Sequence, residues 1–72
     1  MSIKVTETIQ TTILDFDTTI CVVYYTDYHQ YERHRHTIIK QIFQHKKYKE
    51  IQSIRHVIDD EIITTTNKER EQ

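Results

Sequence analysis

The absence of glycine and proline is the feature that most limits how this chain of 72 residues can fold. Average composition would give about five glycines and about four prolines at this length. Without glycine, a turn that needs a positive φ angle has to use aspartate or asparagine, and Asn67 is the one asparagine in the sequence. Glycine-rich phosphate-binding loops, such as the Walker and dinucleotide-binding motifs, are excluded for the same reason.

The length and composition fit one small folded domain. Hydrophobic residues make up 36% of the chain and charged residues 29%. A second domain is not expected, because domains usually contain about 100–150 residues. We expect one folded unit over residues 1–66 and a flexible polar tail over residues 67–72. The longest apolar run, Ile20 to Tyr25, is far shorter than the roughly 18 residues of a membrane span, so no membrane partner is predicted.

The first part of the sequence predicts an antiparallel β-hairpin. Between Ile3 and Ile13 mostly aliphatic residues at odd positions alternate with polar ones, which is typical of a half-buried strand. Asp15 and its neighbours up to residue 18 supply turn chemistry. Residues 19–25 then form a run that is apolar on both faces, as in a well-covered strand. A hairpin alone is only marginally stable, so a helix or another strand must cover it.

Two helices are predicted after the hairpin. Asp27 and Gln30 resemble a capping box at the start of a helix that ends near His45. One arc of this helix is mostly apolar and consists of Tyr28, Tyr31, Arg35, Ile38, Ile39 and Ile42. Further isoleucines at spacings of three or four predict a shorter second helix ending near Ile58, and β-branched residues 62–66 are compatible with a short C-terminal strand. The predicted fold class is therefore α+β, with a hairpin followed by a long and a shorter helix.

The net charge of −1 hides three blocks of opposite sign. Residues 1–32 carry −4, residues 33–49 carry +6 and residues 50–72 carry −3. A basic stripe on the long helix lies away from the apolar arc and includes Arg33, His36, Lys40 and Lys47. Such a stripe is expected on the solvent-exposed face of an amphipathic helix. It would also suit a surface that binds phosphate groups or an acidic partner. The pI of about 6.5 is low for a nucleic-acid-binding domain.

Arg35 is the residue that points most directly to a binding surface. A helix stripe buried in its own core does not carry a guanidinium at its centre without a partner. Snorkelling, or an internal bond to Asp15, Asp17 or Asp27, would account for it. Otherwise Tyr28, Tyr31 and Arg35 face another protein, since tyrosine and arginine are enriched in interface hot spots. Secondary candidates for the same partner-binding surface are Tyr24, Tyr25 and Tyr48.

The sequence does not indicate a catalytic or metal site. Its two serines are not close to a base, and its adjacent carboxylates are explained by turns or by the solvated surface. No two of the five histidines are three or four residues apart, as metal ligands on one helix face would be. No cofactor is predicted. Cys21 is the single cysteine, which excludes an internal disulfide and favours a reducing, cytoplasmic location.

We therefore expect a non-catalytic protein that binds another protein as a small regulator or inhibitor. Phage or plasmid modulators that act on a repressor, another DNA-binding regulator or a host factor are one class of this size, by analogy. The alternative is nucleic-acid binding through the basic helix face of residues 29–49. Homodimerisation through the edge of the hairpin is compatible with both functions.

Overall fold

The described part of the chain forms a four-stranded antiparallel sheet and one α-helix. The computed structural model describes residues 1–13 and 16–68. In chain order the elements are β1 (Ser2–Ile13), β2 (Phe16–Asp27), α1 (Tyr28–Gln44), β3 (Ile51–Ile58) and β4 (Glu61–Thr66). A single 3-10 turn, Lys46–Tyr48, connects α1 to β3. The strand order is β2-β1-β3-β4, so β2 and β4 are the two edges of the sheet.

β1 and β2 form the hairpin that the alternating pattern predicts. The two strands pair over all 12 residues of each. β-Branched and aromatic residues dominate both strands, and these residue types favour a pleated, half-buried surface. β2 already begins at Phe16, so residues predicted to form the turn belong to the strand, while Asp15 lies outside the described residues.

The predicted second helix is wrong, and the predicted fold class is wrong with it. Residues 51–58 form β3, which pairs with β1, and residues 61–66 form β4, which pairs with β3. The short C-terminal strand that residues 62–66 suggest lies within β4. β-Branched residues make up half of β3 and run unbroken through residues 62–66 of β4, and this composition favours strands over a helix.

A β-bulge explains why the isoleucine spacing suggested a helix. Gln10 of β1 pairs with Ser53, whereas the next residue, Thr11, pairs with Ile51, so β3 contains one extra residue at this point. The extra residue places Ile51 and Ile54 on the same face of the sheet although they are three positions apart. Both side chains are buried, and the pattern returns to strict alternation after Ile54.

The turn between β3 and β4 is made of aspartates. Asp59 and Asp60 both have a positive φ, of 44° and 73°, as a two-residue type I′ turn requires. The backbone N–H of Asp59 donates to the carbonyl of Lys4 at 3.3 Å, which ties the turn to β1. This glycine-free chain thus uses aspartate where many hairpins use glycine.

α1 packs on one face of the sheet, and no described element covers the opposite face. Asp27 caps the helix, because its Oδ1 accepts the N–H of Gln30 at 2.8 Å, as the capping pattern predicts. Odd residues of β1 and even residues of β2 lie on the helix side. Two apolar clusters join the layers, one built on Val5, Tyr31 and Ile58 and the other on Ile39, Ile51 and Ile54.

Asn67, predicted as the first residue of a flexible tail, is instead buried. Its Nδ2 donates to the carbonyl of Ile51 at 3.0 Å, and its backbone N–H donates to the carbonyl of Gln52 at 2.8 Å. The rest of the predicted tail, from residue 69 onward, lies outside the described residues. Within the described residues, no helix combines the length and apolar character that crossing a bilayer requires.

Candidate functional site

Tyr31, predicted as a partner-binding residue, is a core residue in the structure. Its side chain is only 1% exposed, and its hydroxyl lies 2.7 Å from Nδ1 of His56. The other ring nitrogen of His56, Nε2, lies 3.0 Å from Oε1 of Glu7, close enough for an ion pair but without hydrogen-bond alignment. Glu7 and His56 are direct cross-strand partners in β1 and β3. The helix is thus connected to the centre of the sheet through polar side chains.

Burial makes the hydroxyl of Tyr31 a weaker acid. Removal from water raises the pKa of its hydroxyl from 10.0 to about 12, and the nearby Arg35 guanidinium partly opposes this rise. The Tyr31 hydroxyl and Nδ1 of His56 share a hydrogen bond, and Nε2 of His56 faces Glu7. Both Tyr31 and His56 are 1% exposed, so this pair is enclosed by the fold. We interpret it as a structural network that fixes α1 on the sheet.

The other two residues of the predicted helix surface, Tyr28 and Arg35, differ in how far they are exposed. Tyr28 is exposed, and its ring centroid lies 6.4 Å from that of Tyr31. Arg35 is half-buried, and its Nε atom is buried without a hydrogen-bond partner among the described residues. Tyr28, Tyr31 and Arg35 therefore do not form one outward-facing surface, contrary to the geometry expected from the sequence.

Of the three secondary tyrosines, Tyr24 and Tyr25 lie near one end of β2 and Tyr48 near the other. Tyr24 is half-buried against the core, and burial together with the negative charge of Glu7 raises its pKa. Tyr25, its neighbour on β2, points to the opposite face and is exposed. Tyr48, in the 3-10 turn, is exposed and lies 5.3 Å from His45 between ring centroids.

All four residues of the predicted basic stripe are exposed. They are distributed along α1 and the following turn and comprise Arg33, His36, Lys40 and Lys47. A shallow cavity of about 360 Å³ beside the stripe is lined by Gln30, Arg33, His34 and Thr37. Arg33, His36 and Lys40 form an accessible cationic surface on α1, whereas Lys47, in the turn after it, lies beside Thr11, Ile20 and Ile51 of the sheet.

The strongest exposed apolar surface lies on β2, where the sequence predicted a covered strand. Among the described residues there are eight exposed large hydrophobic side chains, and five of them are on β2 or directly after it: Ile20, Val22, Val23, Tyr25 and Tyr28. An apolar run on both faces indicates burial in most sheets, but here β2 is an edge strand that α1 does not cover. The sequence signal was present, and its interpretation as a buried strand was wrong.

The backbone of β2 also offers unpaired groups to solvent. The N–H and the carbonyl of Lys4 both point toward Asp59, on the β3 side of β1. Main-chain groups alternate along an antiparallel strand, so the odd residues of β1 bond to β2 through the even residues of β2. The odd residues of β2 therefore direct their N–H and carbonyl groups outward: Asp17, Thr19, Cys21, Val23 and Tyr25. No described strand pairs with them.

Two cavities between β2 and α1, together called the groove, lie along this edge. At one end an apolar cavity of about 180 Å³ is lined by Ile9, Thr11, Ile20, Ile42, Tyr48 and Ile51. At the other end a cavity of about 210 Å³ is lined by Tyr24, Tyr25, Thr26, Gln30, Tyr31 and His34. We define the β2 edge as residues 17–25 together with this groove. It brings together the predicted residues Tyr24, Tyr25 and Tyr48 and adds Ile20, Val22 and Val23, which were not predicted as site residues.

Comparison of the chain with family models, curated proteins and solved structures finds no match. Within residues 1–13 and 16–68, no three His, Cys, Asp or Glu side chains come together as a metal-binding group.

Proposed function

We propose that this chain is a non-catalytic protein-binding regulator or inhibitor that binds an extended segment of its partner by strand addition at the β2 edge. The observation that carries the proposal is the coincidence of exposed apolar side chains with outward-facing main-chain groups on one edge strand. In strand addition, main-chain hydrogen bonds supply affinity and pockets for alternate side chains supply specificity. The β2 edge has both parts.

The groove defines the chemistry of the partner. A strand added to β2 would point every second side chain toward α1, and the cavity around Ile20, Ile42 and Tyr48 fits apolar side chains there. Lys47 borders the same groove, and residues 33–49 carry six positive charges. We therefore infer an extended partner segment with alternating apolar residues and with acidic residues beside α1.

We place this function in the cytoplasm. Cys21 is exposed and is the only cysteine of the chain, and a free surface thiol is stable where the cell keeps thiols reduced. The buried Tyr31–His56 pair supports a binding role over an enzymatic one, because the most perturbed titratable group is enclosed in the core.

The test pairs two substitutions at the ends of one cross-strand row. One cross-strand row runs over the open face of the sheet from Val23 on β2, through Thr6 on β1 and Val57 on β3, to Ile62 on β4. Val23 and Ile62 are similarly exposed, at 53% and 56%, so Val23→Lys and Ile62→Lys make the same chemical change at opposite edges. A charge on an edge strand blocks pairing at that edge.

Short random peptides displayed on phage are selected against the wild-type chain, and the affinities of synthetic copies are measured by fluorescence anisotropy. We expect Val23→Lys to weaken binding about tenfold or more, and Ile62→Lys to change it less than about twofold. Amide chemical-shift changes should be centred on β2. The proposal is overturned if the peptides cause amide shifts centred outside β2 and bind the Val23→Lys variant as tightly as the wild type.

Nucleic-acid binding is the second candidate function, and the exposure of the whole basic stripe favours it. Residues 33–49 contain no acidic side chain that would repel a phosphate. Fluorescence titration with duplex DNA at two salt concentrations tests it, because binding driven by phosphate contacts weakens steeply with salt. Lys40→Glu should abolish such binding, and absence of binding at low salt would exclude this function.

A further inference from the structure

We propose that the β2 edge also pairs with the β2 edge of a second copy of this chain, antiparallel and around a two-fold axis at Cys21. This inference rests on the proposed function, since it names a second occupant of the same strand-addition site. Self-pairing would cover the edge until a partner segment displaces the second copy. Binding of the partner would then depend on the concentration of the chain.

The β2 edge lacks the features that normally prevent sheets from joining. Edge strands are usually short, or are protected by lysine, proline or a bulge. β2 has 12 residues and contains no lysine, arginine or proline, and the bulge in this sheet lies between β1 and β3. The other edge strand, β4, has only six residues. The β2 edge is therefore long and apolar, with charges only at Asp17 and Asp27 near its ends.

The charges at the ends of β2 select the register. Asp17 and Asp27 are equally far from Val22, so a two-fold axis at Val22 would place these like charges directly opposite each other, which is destabilising. An axis at Val23 would include Asp27 in the hydrogen-bond ladder between the two copies, although Asp27 already caps α1 by accepting the N–H of Gln30. An axis at Cys21 avoids both conflicts.

The register around Cys21 places the exposed aliphatic residues of the helix side opposite each other. Its hydrogen-bonded pairs use the outward-facing odd residues and amount to about ten main-chain bonds, two for each pair. On the helix side, Ile20 of one copy lies opposite Val22 of the other, and both are exposed in the single chain. On the open side, Val23 lies opposite Thr19. An axis perpendicular to the sheet keeps both copies of α1 on the same face of one continuous eight-stranded sheet.

Cys21 provides a built-in test of this geometry. Opposed residues of a hydrogen-bonded antiparallel pair have Cα atoms about 5.5 Å apart, within the range that a disulfide can bridge. The wild-type chain is oxidised with copper phenanthroline under non-denaturing conditions and analysed on non-reducing gels. Sedimentation velocity under reducing conditions, over a range of chain concentrations, gives the oligomeric state without the cross-link.

We expect a reversible dimer that cross-links through Cys21. Val23→Lys should weaken dimerisation about tenfold or more and slow cross-linking in proportion, whereas Ile62→Lys should leave both within about twofold of wild type. The double variant Cys21→Ser/Val23→Cys tests the register, because opposed copies of position 23 would be four residues apart along the ladder and should cross-link far more slowly. Circular dichroism confirms that each variant is folded.

Three results would overturn the inference: a chain that stays monomeric at all concentrations, a dimer that survives Val23→Lys, or faster cross-linking through position 23 than through Cys21. The proposed function has its own readout. If the chain is monomeric but selected peptides still shift the β2 amides, self-pairing is wrong and strand addition stands. If peptides bind elsewhere, the proposed function is wrong whatever the oligomeric state.

Discussion

The hydroxyl of Tyr31 lies 2.7 Å from Nδ1 of His56, and this pair joins the only described α-helix to the centre of the sheet. The two residues are 25 positions apart and come from α1 and β3. Their rings also meet edge-on, with centroids 5.7 Å apart. Tyr31, which the sequence suggested as an interface hot spot, is therefore part of the core.

Substitutions at Tyr31 should therefore destabilise the isolated chain. Tyr31→Ala removes a buried ring and should cost about 3–5 kcal/mol, while Tyr31→Phe leaves a buried nitrogen of His56 unsatisfied and should cost about 1–3 kcal/mol. Urea unfolding followed by circular dichroism measures both. Tyr28→Ala is the matched control at an exposed tyrosine of the same helix, and it should cost less than about 1 kcal/mol. Equal losses at Tyr31 and Tyr28 would contradict the buried network.

The raised pKa of Tyr31 predicts a loss of stability at alkaline pH. The unfolded chain releases this proton near pH 10.0, whereas the folded chain retains it up to about pH 12. The stabilising contribution is complete below pH 10.0 and disappears as the pH rises toward about 12. The difference in unfolding free energy between wild type and Tyr31→Phe should therefore shrink from about pH 9 to about pH 11. Parallel pH profiles of the two proteins would show that Tyr31 is not the titrating group.

Asp60→Gly should stabilise the turn between β3 and β4. Asp60 has a φ of 73°, a region that costs an L-residue free energy and that glycine enters without a penalty from Cβ. The substitution should raise the unfolding free energy by about 0.5–1 kcal/mol, as read from the urea midpoint. Asp60→Ala keeps the penalty and loses the local side-chain bonding of aspartate, so it should be less stable than wild type. A lower midpoint for Asp60→Gly would contradict the type I′ geometry.

The elements that depend on local sequence were predictable, and those that depend on distant contacts were not. Alternation along residues 3–13 and the Asp27 cap locate the hairpin and the start of α1, since both signals involve near neighbours. The bulge between Ile51 and Ile54 exists only because β3 pairs with β1, so a spacing of three was interpreted as helical. The pair of aspartates at the β3–β4 turn was a local signal of a hairpin that the prediction of a second helix overrode.

The candidate site likewise contains some features that local sequence predicts and others that depend on distant contacts. The exposure of the basic stripe follows from helical periodicity, and the structure places Arg33, His36, Lys40 and Lys47 at the surface. The burial of Tyr31 could not be predicted, because its partner His56 reaches it only through the fold. The apolar character of β2 was visible in the sequence, but only the strand order of the folded chain shows that β2 is an edge strand.

Amide hydrogen exchange along β2, recorded by NMR on the dilute chain and again with a selected peptide bound, is the most direct test of strand addition at this edge. In the dilute chain the even residues Ile20 and Val22 should exchange slowly, because they bond to β1, and the odd residues Thr19 and Val23 should exchange rapidly. Binding should slow the odd residues about tenfold or more and leave the even residues almost unchanged. Odd residues that are already protected in the dilute monomer, or that stay unprotected in the complex, would contradict a binding edge on β2.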